Sequence, residues 1–429
     1  MKVAVVGAGI SGLLSAYRLV QAGADVTLFE AGSYFGGHSN TVDVDVDGFR
    51  FGVDTGFLVF NQRTYPKLIA LFEELGVASV ASDMSFSVRL PLAGRVLEWA
   101  GSNLDTVFAQ RANLFSPRFL RMVRDILRFN QEATALAVAG EAMPVQSLGQ
   151  FLDERRYSAE FRNWYLLPMA ACIWSCPAGQ MLAFPVATFI RFCHNHGLLQ
   201  VSDRPQWRTV RGGSRMYVDK LLAAIPTRRL VMPVRSVTRA PNGGARSVRV
   251  ETAAGAEQFD QVVLACHSDQ ALALLHDARA DERAVLGAIG YQPNRAVLHT
   301  DASCLPANRR AWAAWNYQST AAASPQVCVH YLINKLQPLP CATPVIVSLN
   351  PIDQPDPRLV LGEFDYAHPV FDAAAVAAQG RLPALQGVQG TWFAGAWTGY
   401  GFHEDGLKSG LAVAAALSAR LAGHGDAAA

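Results

Sequence analysis

The sequence has few features of several common protein classes, and each absence narrows what the chain can do. Its 429 residues carry a formal net charge of only +2, so no strongly basic surface favours nucleic acid as a partner. No window approaches the roughly 18 apolar residues of a membrane-spanning helix. The apolar run at residues 3–6 meets Gly7 too early for a secretion signal. We therefore expect a soluble, cytoplasmic protein that can still touch the inner face of a membrane peripherally.

Cysteine and nucleophile patterns are equally sparse. Seven cysteines are scattered without the spacing of a disulfide framework, which indicates reduced thiols. Cys193, His194 and His196 form one compact group, and Cys172 and Cys176 form another. Neither group completes the ligand spacing of a zinc site, so we expect no metal. The chain also lacks a Gly-x-Ser-x-Gly elbow, which leaves hydrolase chemistry without a nucleophile.

The first thirty residues predict a dinucleotide site. An apolar run at residues 3–6, typical of a buried parallel strand, leads into a Gly-x-Gly-x-x-Gly motif, a helical pattern and a second strand that ends at Glu30. In this arrangement the glycines allow a tight turn, close approach of a pyrophosphate and helix packing, and the acid binds ribose hydroxyls. The predicted nucleotide contacts here are Gly7, Gly9, Ile10, Ser11, Gly12 and Glu30.

A second glycine motif follows at residues 31–41, and it resembles that of a flavin superfamily. The chain is similar to the amine oxidase and phytoene desaturase superfamily, with its glutathione-reductase-like FAD-binding domain. The superfamily normally has arginine after the glycine pair, where this chain has His38. A later segment, residues 54–57, resembles the loop that passes along the flavin ring. The contacts that the resemblance implies are Ala31, Gly36, Gly37, His38, Gly56 and Phe57.

Between these motifs, residues 42–51 have two interpretations. Asp43, Asp45, Asp47 and Asp54 fall on the positions of a calcium-binding loop. However, valines alternate with the aspartates, and Asp47 with the following glycine is a preferred two-residue hairpin turn. Position 12 of the loop is aspartate rather than glutamate, and no flanking helices are evident. We therefore predict a hairpin.

The length and the change of pattern predict two domains in an α/β fold. The FAD-binding domain, with a Rossmann-type parallel sheet, is expected from residues 1–58, 205–284 and 386–429. A discontinuous α+β substrate domain is expected from 59–204, read as mainly helical, and 285–385. Its clearest helix has Ser116 as N-cap and Pro117 as first residue. The arginines on one face of that helix favour a solvated surface, with contact to an anionic membrane as the alternative: Arg118, Arg121, Arg124 and Arg128.

The returning segment and the last segment complete the resemblance. Residues 231–237 are similar to the strand whose backbone holds the adenine, which implies Val234. No second Gly-x-Gly-x-x-Gly appears, so we expect the flavin to be reduced by substrate rather than by a nicotinamide. Residues 392–410 resemble the C-terminal FAD motif, with a helix predicted from 407 to 421. This implies Gly395, Asp405, Gly406 and Leu407 as contacts, and the absence of cysteine there implies non-covalent FAD.

The chemistry is less defined by the sequence. Amine oxidases of the superfamily usually place a lysine near flavin N5. The stretch of this chain that roughly matches theirs, residues 294–299, contains no lysine. Phe402 stands where one tyrosine of an aromatic cage would be, and Trp397 is a second candidate substrate contact. No catalytic base can be assigned, although His403 and His299 are candidate proton carriers because histidine titrates near neutral pH.

Three functions remain open from the sequence. Residues 309–317 and 331–337 resemble the flavoproteins found beside or fused to cyclopropane fatty acid synthases. That resemblance favours an FAD-dependent oxidase or desaturase of a fatty-acyl or lipid substrate, acting by hydride transfer to flavin N5. The alternatives are an FAD-dependent amine oxidase and a flavin-bound accessory protein that partners a lipid methyltransferase.

Overall fold

The computed structural model describes residues 1–139, 146–174, 178–201, 203–240, 247–320 and 327–425, and Cys176 of the second cysteine pair lies outside these ranges. The strands are β1 (Lys2–Val6), β2 (Asp25–Phe29), β3 (Thr41–Val46), β4 (Phe49–Asp54), β5 (Phe60–Asn61), β6 (Ser79–Ala81), β7 (Phe86–Leu92), β8 (Arg95–Ala100), β9 (Trp207–Val210), β10 (Thr227–Arg229), β11 (Val234–Arg239), β12 (Val248–Thr252), β13 (Gly255–Phe259), β14 (Gln261–Leu264), β15 (Gly290–His299), β16 (Trp315–Gln318), β17 (Cys328–Leu332), β18 (Ile346–Leu349), β19 (Val360–Val370) and β20 (Thr391–Phe393).

The helices alternate with these strands along the chain. They are α1 (Ile10–Gln21), α2 (Pro66–Leu75), α3 (Leu104–Val107), α4 (Pro117–Val138), α5 (Leu148–Glu154), α6 (Ala159–Phe161), α7 (Leu167–Trp174), α8 (Ala178–Ala183), α9 (Val186–Asn195), α10 (Arg215–Ala223), α11 (Ser268–Leu274), α12 (Ala280–Leu286), α13 (Ile333–Leu336), α14 (Ala373–Arg381) and α15 (His403–Gly425). Within the described ranges, no helix combines the length and the hydrophobicity that crossing a bilayer requires.

A five-stranded parallel sheet has the strand order β10-β2-β1-β14-β20, which confirms the predicted α/β fold. Its strands come from three separated stretches of the chain. The strands β1, β2 and β14 consist mainly of buried apolar side chains, as expected where helices cover both faces of a sheet. Helix α1 and the C-terminal helix α15 pack against each other beside this sheet. The carboxyl ends of β1, β2, β14 and β20 therefore lie along one edge.

A seven-stranded sheet has the order β19-β15-β18-β17-β16-β7-β8 and is antiparallel except between β16 and β7. Two of its strands, β7 and β8, lie in the stretch from 59 to 204 that the pattern predicted to be helical. That expectation was wrong for residues 79–100, where Gly94 has φ 78° and closes a hairpin. The small sheet β5-β9-β6 joins residues 60–81 to 207–210, so it links segments assigned to different domains. The division into domains stays a prediction.

The secondary-structure elements described between Leu104 and Asn195 are all helices, and their aromatic residues form a core between α4, α5 and α9. Phe129, Phe151, Phe161 and Phe189 are at most 1% exposed, and Phe129 lies within 5.4–6.4 Å of the other three ring centroids. Burying each such ring stabilises the fold by about 1.5–3 kcal/mol. Helix α4 begins at Pro117 as predicted, and the Ser116 hydroxyl accepts the Phe119 N–H.

The predicted hairpin is confirmed. Strands β3 and β4 pair from Thr41–Asp54 to Val46–Phe49, and Asp47 and Gly48 both have positive φ (54° and 78°), the geometry that a two-residue turn requires. Asp43 and Asp47 bond to protein groups. Asp43 pairs with Arg215, and Asp47 accepts the Thr343 hydroxyl.

Candidate active site

The loop between β1 and α1 brings the backbone to the edge of an open space. Gly7 has φ 99°, and its N–H donates to the Phe29 carbonyl at 2.9 Å, which makes the tight turn at the strand end. A Cβ on Gly12 would lie 1.9 Å from the Gly7 carbonyl oxygen, so Gly12 serves helix packing. A Cβ on Gly9 would meet no atom within 4 Å. Gly9 therefore leaves room at the N-terminus of α1, where free N–H groups and the helix dipole favour an anion.

The second glycine motif packs directly on the first. The Gly36 N–H donates to the Ala8 carbonyl at 2.9 Å, and a Cβ on Gly37 would lie 3.1 Å from the Gly9 Cα. Gly36 and Gly37 both have positive φ (123° and 58°), which glycine adopts without strain. The two motifs together form one continuous backbone surface.

Glu30 lies at the end of β2, beside this surface. One of its carboxylate oxygens accepts the Ala8 N–H at 2.8 Å, and the other accepts the Gly32 N–H at 2.7 Å. These bonds hold the carboxylate where the sequence predicts a ribose contact.

A cavity of about 720 Å³ begins at the two glycine motifs, a volume typical of small-molecule and cofactor sites. It brings together most of the predicted site residues. Those that line it are Gly7, Gly9, Ile10, Ser11, Glu30, Ala31, Gly36, Gly37, His38, Gly56, Phe57, Val234, Gly395, Trp397 and Phe402.

Four predicted contacts do not line the cavity. Besides Gly12, these are Asp405, Gly406 and Leu407 in the closing motif. Helix α15 begins at His403, four residues earlier than predicted, so all three lie inside its first turns. The N–H groups of Asp405 and Gly406 donate to the Phe402 carbonyl (2.9 and 3.1 Å), and Leu407 is fully buried in the core. It is His403 that faces the cavity at this helix end.

His38 occupies the position where the superfamily normally has arginine. Its ring stacks on Tyr366, with 4.7 Å between centroids, and lies 5.1 Å from the His368 ring. Burial, and then the neighbouring His368, lower the pKa of His38 well below its usual range. Its Nε2 atom is buried without a hydrogen-bond partner among the described residues. The neutral imidazole thus has a free polar atom at the cavity wall.

A chain of side-chain amides fixes the tautomer of His368. The Arg295 backbone N–H donates to one side-chain atom of Asn350, which must therefore be the carbonyl oxygen. The Asn350 amide nitrogen then donates to Asn294, so the Asn294 nitrogen is the atom that lies 2.9 Å from His368 Nδ1. Nδ1 accepts this bond, which leaves the proton on Nε2. Burial lowers the pKa of His368 to about 4, so the ring is neutral at pH 7.

We define the apolar, aromatic part of the cavity wall as its aromatic end. Phe192 and Phe402 are stacked 4.8 Å apart, and Trp174 lies 4.6 Å from Phe192. Trp397 is 2% exposed and donates its indole N–H to the Cys266 carbonyl. This end is formed by α7, α9, the strand β9 and the loop before α15. Further side chains along it are Leu58, Val59, Met84, Ile173, Leu198, Trp207, Trp315, Tyr331 and Leu349.

The cavity wall is almost free of charge. Among the described residues that line it, Glu30 is the only aspartate, glutamate, lysine or arginine. Burial lowers the pKa of each histidine in the wall, which keeps these rings neutral at pH 7: His38, His196, His267, His368 and His403. Burial also raises the pKa of the Cys266 thiol to about 12. The aromatic end therefore offers neutral surface only.

The structure separates the candidate proton carriers. His403 lines the cavity, stacks on Phe57 at 3.9 Å and bonds Tyr217 through Nε2, and burial lowers its pKa to about 3. His299 lies outside the cavity, where its Nε2 bonds the Ser348 hydroxyl. His196 was considered only as part of a metal pattern, yet it lines the cavity beside Phe192.

The tautomer of His196 is also fixed. Its Nδ1 lies 3.0 Å from the Phe192 carbonyl, which can only accept, so Nδ1 carries the proton. Burial lowers the pKa of His196 to about 4, so the ring is neutral with its lone pair at Nε2. His196 thus provides an acceptor, whereas His368 provides a donor. Histidine content alone could not distinguish these roles, because each depends on a partner fixed by the fold.

Comparison with known proteins agrees with this geometry. The sequence matches the family described as flavin containing amine oxidoreductase over residues 10–311. Zeta-carotene desaturase of Synechocystis sp. is 42% identical over 76 residues, a stretch that covers 18% of this chain and 15% of the desaturase. Cyclohexylamine oxidase from Brevibacterium oxydans IH-35A has 16% identity and a TM-score of 0.67, covering 98% of this chain and 99% of that one. The CLA-producing fatty acid isomerase from P. acnes has 15% identity and a TM-score of 0.63, covering 95% and 96%.

The residues present fit FAD. The open space at Gly9, the helix N-terminus and the two packed glycine motifs suit a pyrophosphate, and Glu30 stands beside them. The family match extends over more than half of the chain, and the two structural likenesses show the same fold. The predicted superfamily is confirmed, whereas the link to cyclopropane fatty acid synthases stays a prediction. The chain is an FAD-dependent oxidoreductase that belongs to the flavin-containing amine oxidoreductase family.

Proposed function

We propose that this oxidoreductase oxidises or desaturates an apolar substrate of the fatty-acyl or lipid class. The observation that carries the proposal is the aromatic end of the cavity, whose described wall holds no charged side chain. Burying an isolated charge there without a partner costs more than the contacts can return. An ammonium group would find no carboxylate, and a fatty-acid carboxylate would find no lysine or arginine. The reacting part of the substrate is therefore neutral, and any charged head group stays outside.

Bound FAD supplies the hydride acceptor, flavin N5. The chain supplies the rest. Phe192, Phe402 and Trp174 pack against an acyl chain and exclude water. In a desaturation, one C–H bond loses a hydride and the adjacent one loses a proton as the double bond forms. His196 takes that proton at Nε2, the atom that its bond to the Phe192 carbonyl leaves unprotonated.

Two comparisons support a lipid-like substrate. The desaturase from Synechocystis sp. is named for a carotene, and the isomerase from P. acnes is named for a fatty acid. Amine oxidation has weaker support, because β15 has Asn294 and no lysine in its central stretch, and because Phe402 offers no hydroxyl. If the protein were instead an accessory partner of a lipid methyltransferase, it would form a stable complex with that enzyme and would not turn over a substrate itself.

The test is product analysis by mass spectrometry after aerobic incubation of the FAD-loaded protein with bacterial phospholipid, with amines in parallel. We expect a lipid product that has lost two hydrogen atoms. Phe402→Leu, which keeps the pocket apolar, should retain this product, and Phe402→Asn, which adds an unpaired polar group, should reduce it by about tenfold. Oxidised amines with unchanged lipid would overturn the proposal, as would retained FAD with no product from either class.

A further inference from the structure

Helix α4 has a second apolar stripe that faces away from the core. Phe119, Met122 and Phe129 point inward and are at most 1% exposed. On the outward side, Leu120, Leu127 and Val138 are 44%, 53% and 68% exposed. Their spacings of seven and eleven residues place them within about 20° of one line along a helix. The packing of the residues that the structure describes does not explain exposed apolar residues in such a row.

Arginines lie along one side of the outward stripe. The side chains of Arg121 and Arg124 are 51% and 73% exposed. Their acidic partners lie beneath them, since Glu160 is 7% exposed and Asp125 is 2% exposed. The solvent side of the helix therefore presents guanidinium groups, while the carboxylates that partly neutralise them are buried.

The segment before α4 adds further apolar surface. Phe115 is 86% exposed and stands two residues before Pro117, and Leu104 on the preceding helix is 77% exposed. These are the two most exposed large apolar side chains recorded for the described residues. We define the α4 surface as Phe115, Leu120, Leu127 and Val138 with Arg121 and Arg124.

We propose that the α4 surface docks the protein on an anionic lipid bilayer. An apolar row with cationic side chains along one side matches the layering of a bilayer surface, where phosphates lie above acyl chains. Membranes contain the fatty-acyl lipids that are proposed above as the substrate class. The purpose of docking therefore rests on the proposed function. Its physical basis is independent, because the charge and the exposure belong to α4 and to Phe115 before it, and none of these residues lines the cavity.

The test is co-sedimentation of the full-length, FAD-loaded protein with vesicles of phosphatidylglycerol and phosphatidylcholine, compared with phosphatidylcholine alone. We expect binding to the anionic vesicles that weakens with salt. Arg121→Gln with Arg124→Gln should weaken it by about twenty-five-fold, since each basic side chain near an anionic surface contributes roughly fivefold. These two positions are suitable because Arg118 and Arg128 remain to pair Glu160 and Asp125. Arg358→Gln, at a side chain that is 87% exposed elsewhere, is the matched control.

A second pair of variants tests the apolar residues of the α4 surface. Phe115→Ser should weaken binding to anionic vesicles, and Leu359→Ser should not. Equal binding to both vesicle types, no binding, or loss of self-association in the α4 variants by sedimentation velocity would overturn the proposal. The last result would assign the surface to a second copy of the chain. Flavin reduction by detergent-solubilised lipid should be unchanged in these variants, so a failure of docking is distinguishable from a failure of the proposed reaction.

Discussion

Asn294 donates its side-chain amide to Nδ1 of His368 at 2.9 Å, across two neighbouring strands of the large sheet. Because the backbone at Arg295 fixes the orientation of the amides, the proton of His368 is held on Nε2, which is free to donate into the cavity. The bond occurs in the stretch where amine oxidases of the superfamily usually have a lysine. His368 thus presents a neutral donor beside a stretch, residues 294–299, that contains no lysine.

This tautomer can be measured directly. In ¹⁵N NMR spectra of the FAD-loaded protein at pH 7, the His368 signals should show a protonated Nε2 and an unprotonated Nδ1. Asn294→Asp would place an acceptor opposite Nδ1, so the proton should move to Nδ1 or the ring should become cationic. A protonated Nδ1 in the unmodified protein would contradict the assignment.

Gly9 and Gly12 form a matched pair for FAD binding. At Gly9 a Cβ would occupy open space and φ is −67°, so Gly9→Ala should leave the stability of the FAD-free protein within about 0.5 kcal/mol and weaken FAD binding. At Gly12 a Cβ would overlap the Gly7 carbonyl, so Gly12→Ala should destabilise the FAD-free protein by about 3 kcal/mol. Urea unfolding and flavin titration check both. Equal effects of the two variants on stability would show that Gly9 does not face the ligand.

Acid should destabilise the protein through its buried histidines. Burial lowers the pKa of His196 and His368 to about 4 and that of His403 and His330 to about 3. The unfolded chain binds protons near pH 6.5, before these folded rings do, so stability is complete above pH 6.5 and falls as the pH drops toward 4. Each group contributes about 1.4 kcal/mol per pH unit in that window.

Urea unfolding at pH 7 and pH 5 measures this loss. His196→Gln should reduce the pH dependence by the contribution of one group. A free energy of unfolding that is constant over this range would contradict the neutral assignment of these rings.

His196 should matter for turnover more than for cofactor binding. His196→Gln keeps the size and polarity of the side chain but cannot accept a proton at an imidazole nitrogen, so we expect a decrease of about 10²–10⁴-fold in the rate of flavin reduction. FAD affinity and the oxidised flavin spectrum should be unchanged. Stopped-flow absorbance with excess lipid gives the rate. An unchanged rate would remove His196 from the reaction.

Prediction from the sequence succeeded for features that depend only on residues close together in the chain. The turn at Gly7, the hairpin at Asp47 and the cap at Ser116 each depend on residues within a few positions, and all three occur in the structure. The start of α15 was predicted at residue 407 but lies at His403. The Asp405 carboxylate accepts the N–H groups of Tyr400 and Phe402, and these bonds let the helix begin earlier in the chain.

The proton-bearing groups of the cavity could not be predicted in the same way. His368 owes its tautomer to Asn294, 74 positions earlier, through the pairing of β15 with β19. His196 lines the cavity because α9 packs beside the loop that carries Phe402. A single sequence gives neither pairing, so both histidines were unassigned until the fold placed them.

The most direct test of the central claim is an anaerobic absorbance spectrum of the purified protein before and after addition of bacterial phospholipid, with an amine panel in parallel. The proposal predicts oxidised flavin bands at roughly 370 and 450 nm, which bleach with phospholipid and persist with amines. Bleaching with amines alone would contradict the acyl-chain substrate and favour amine oxidation.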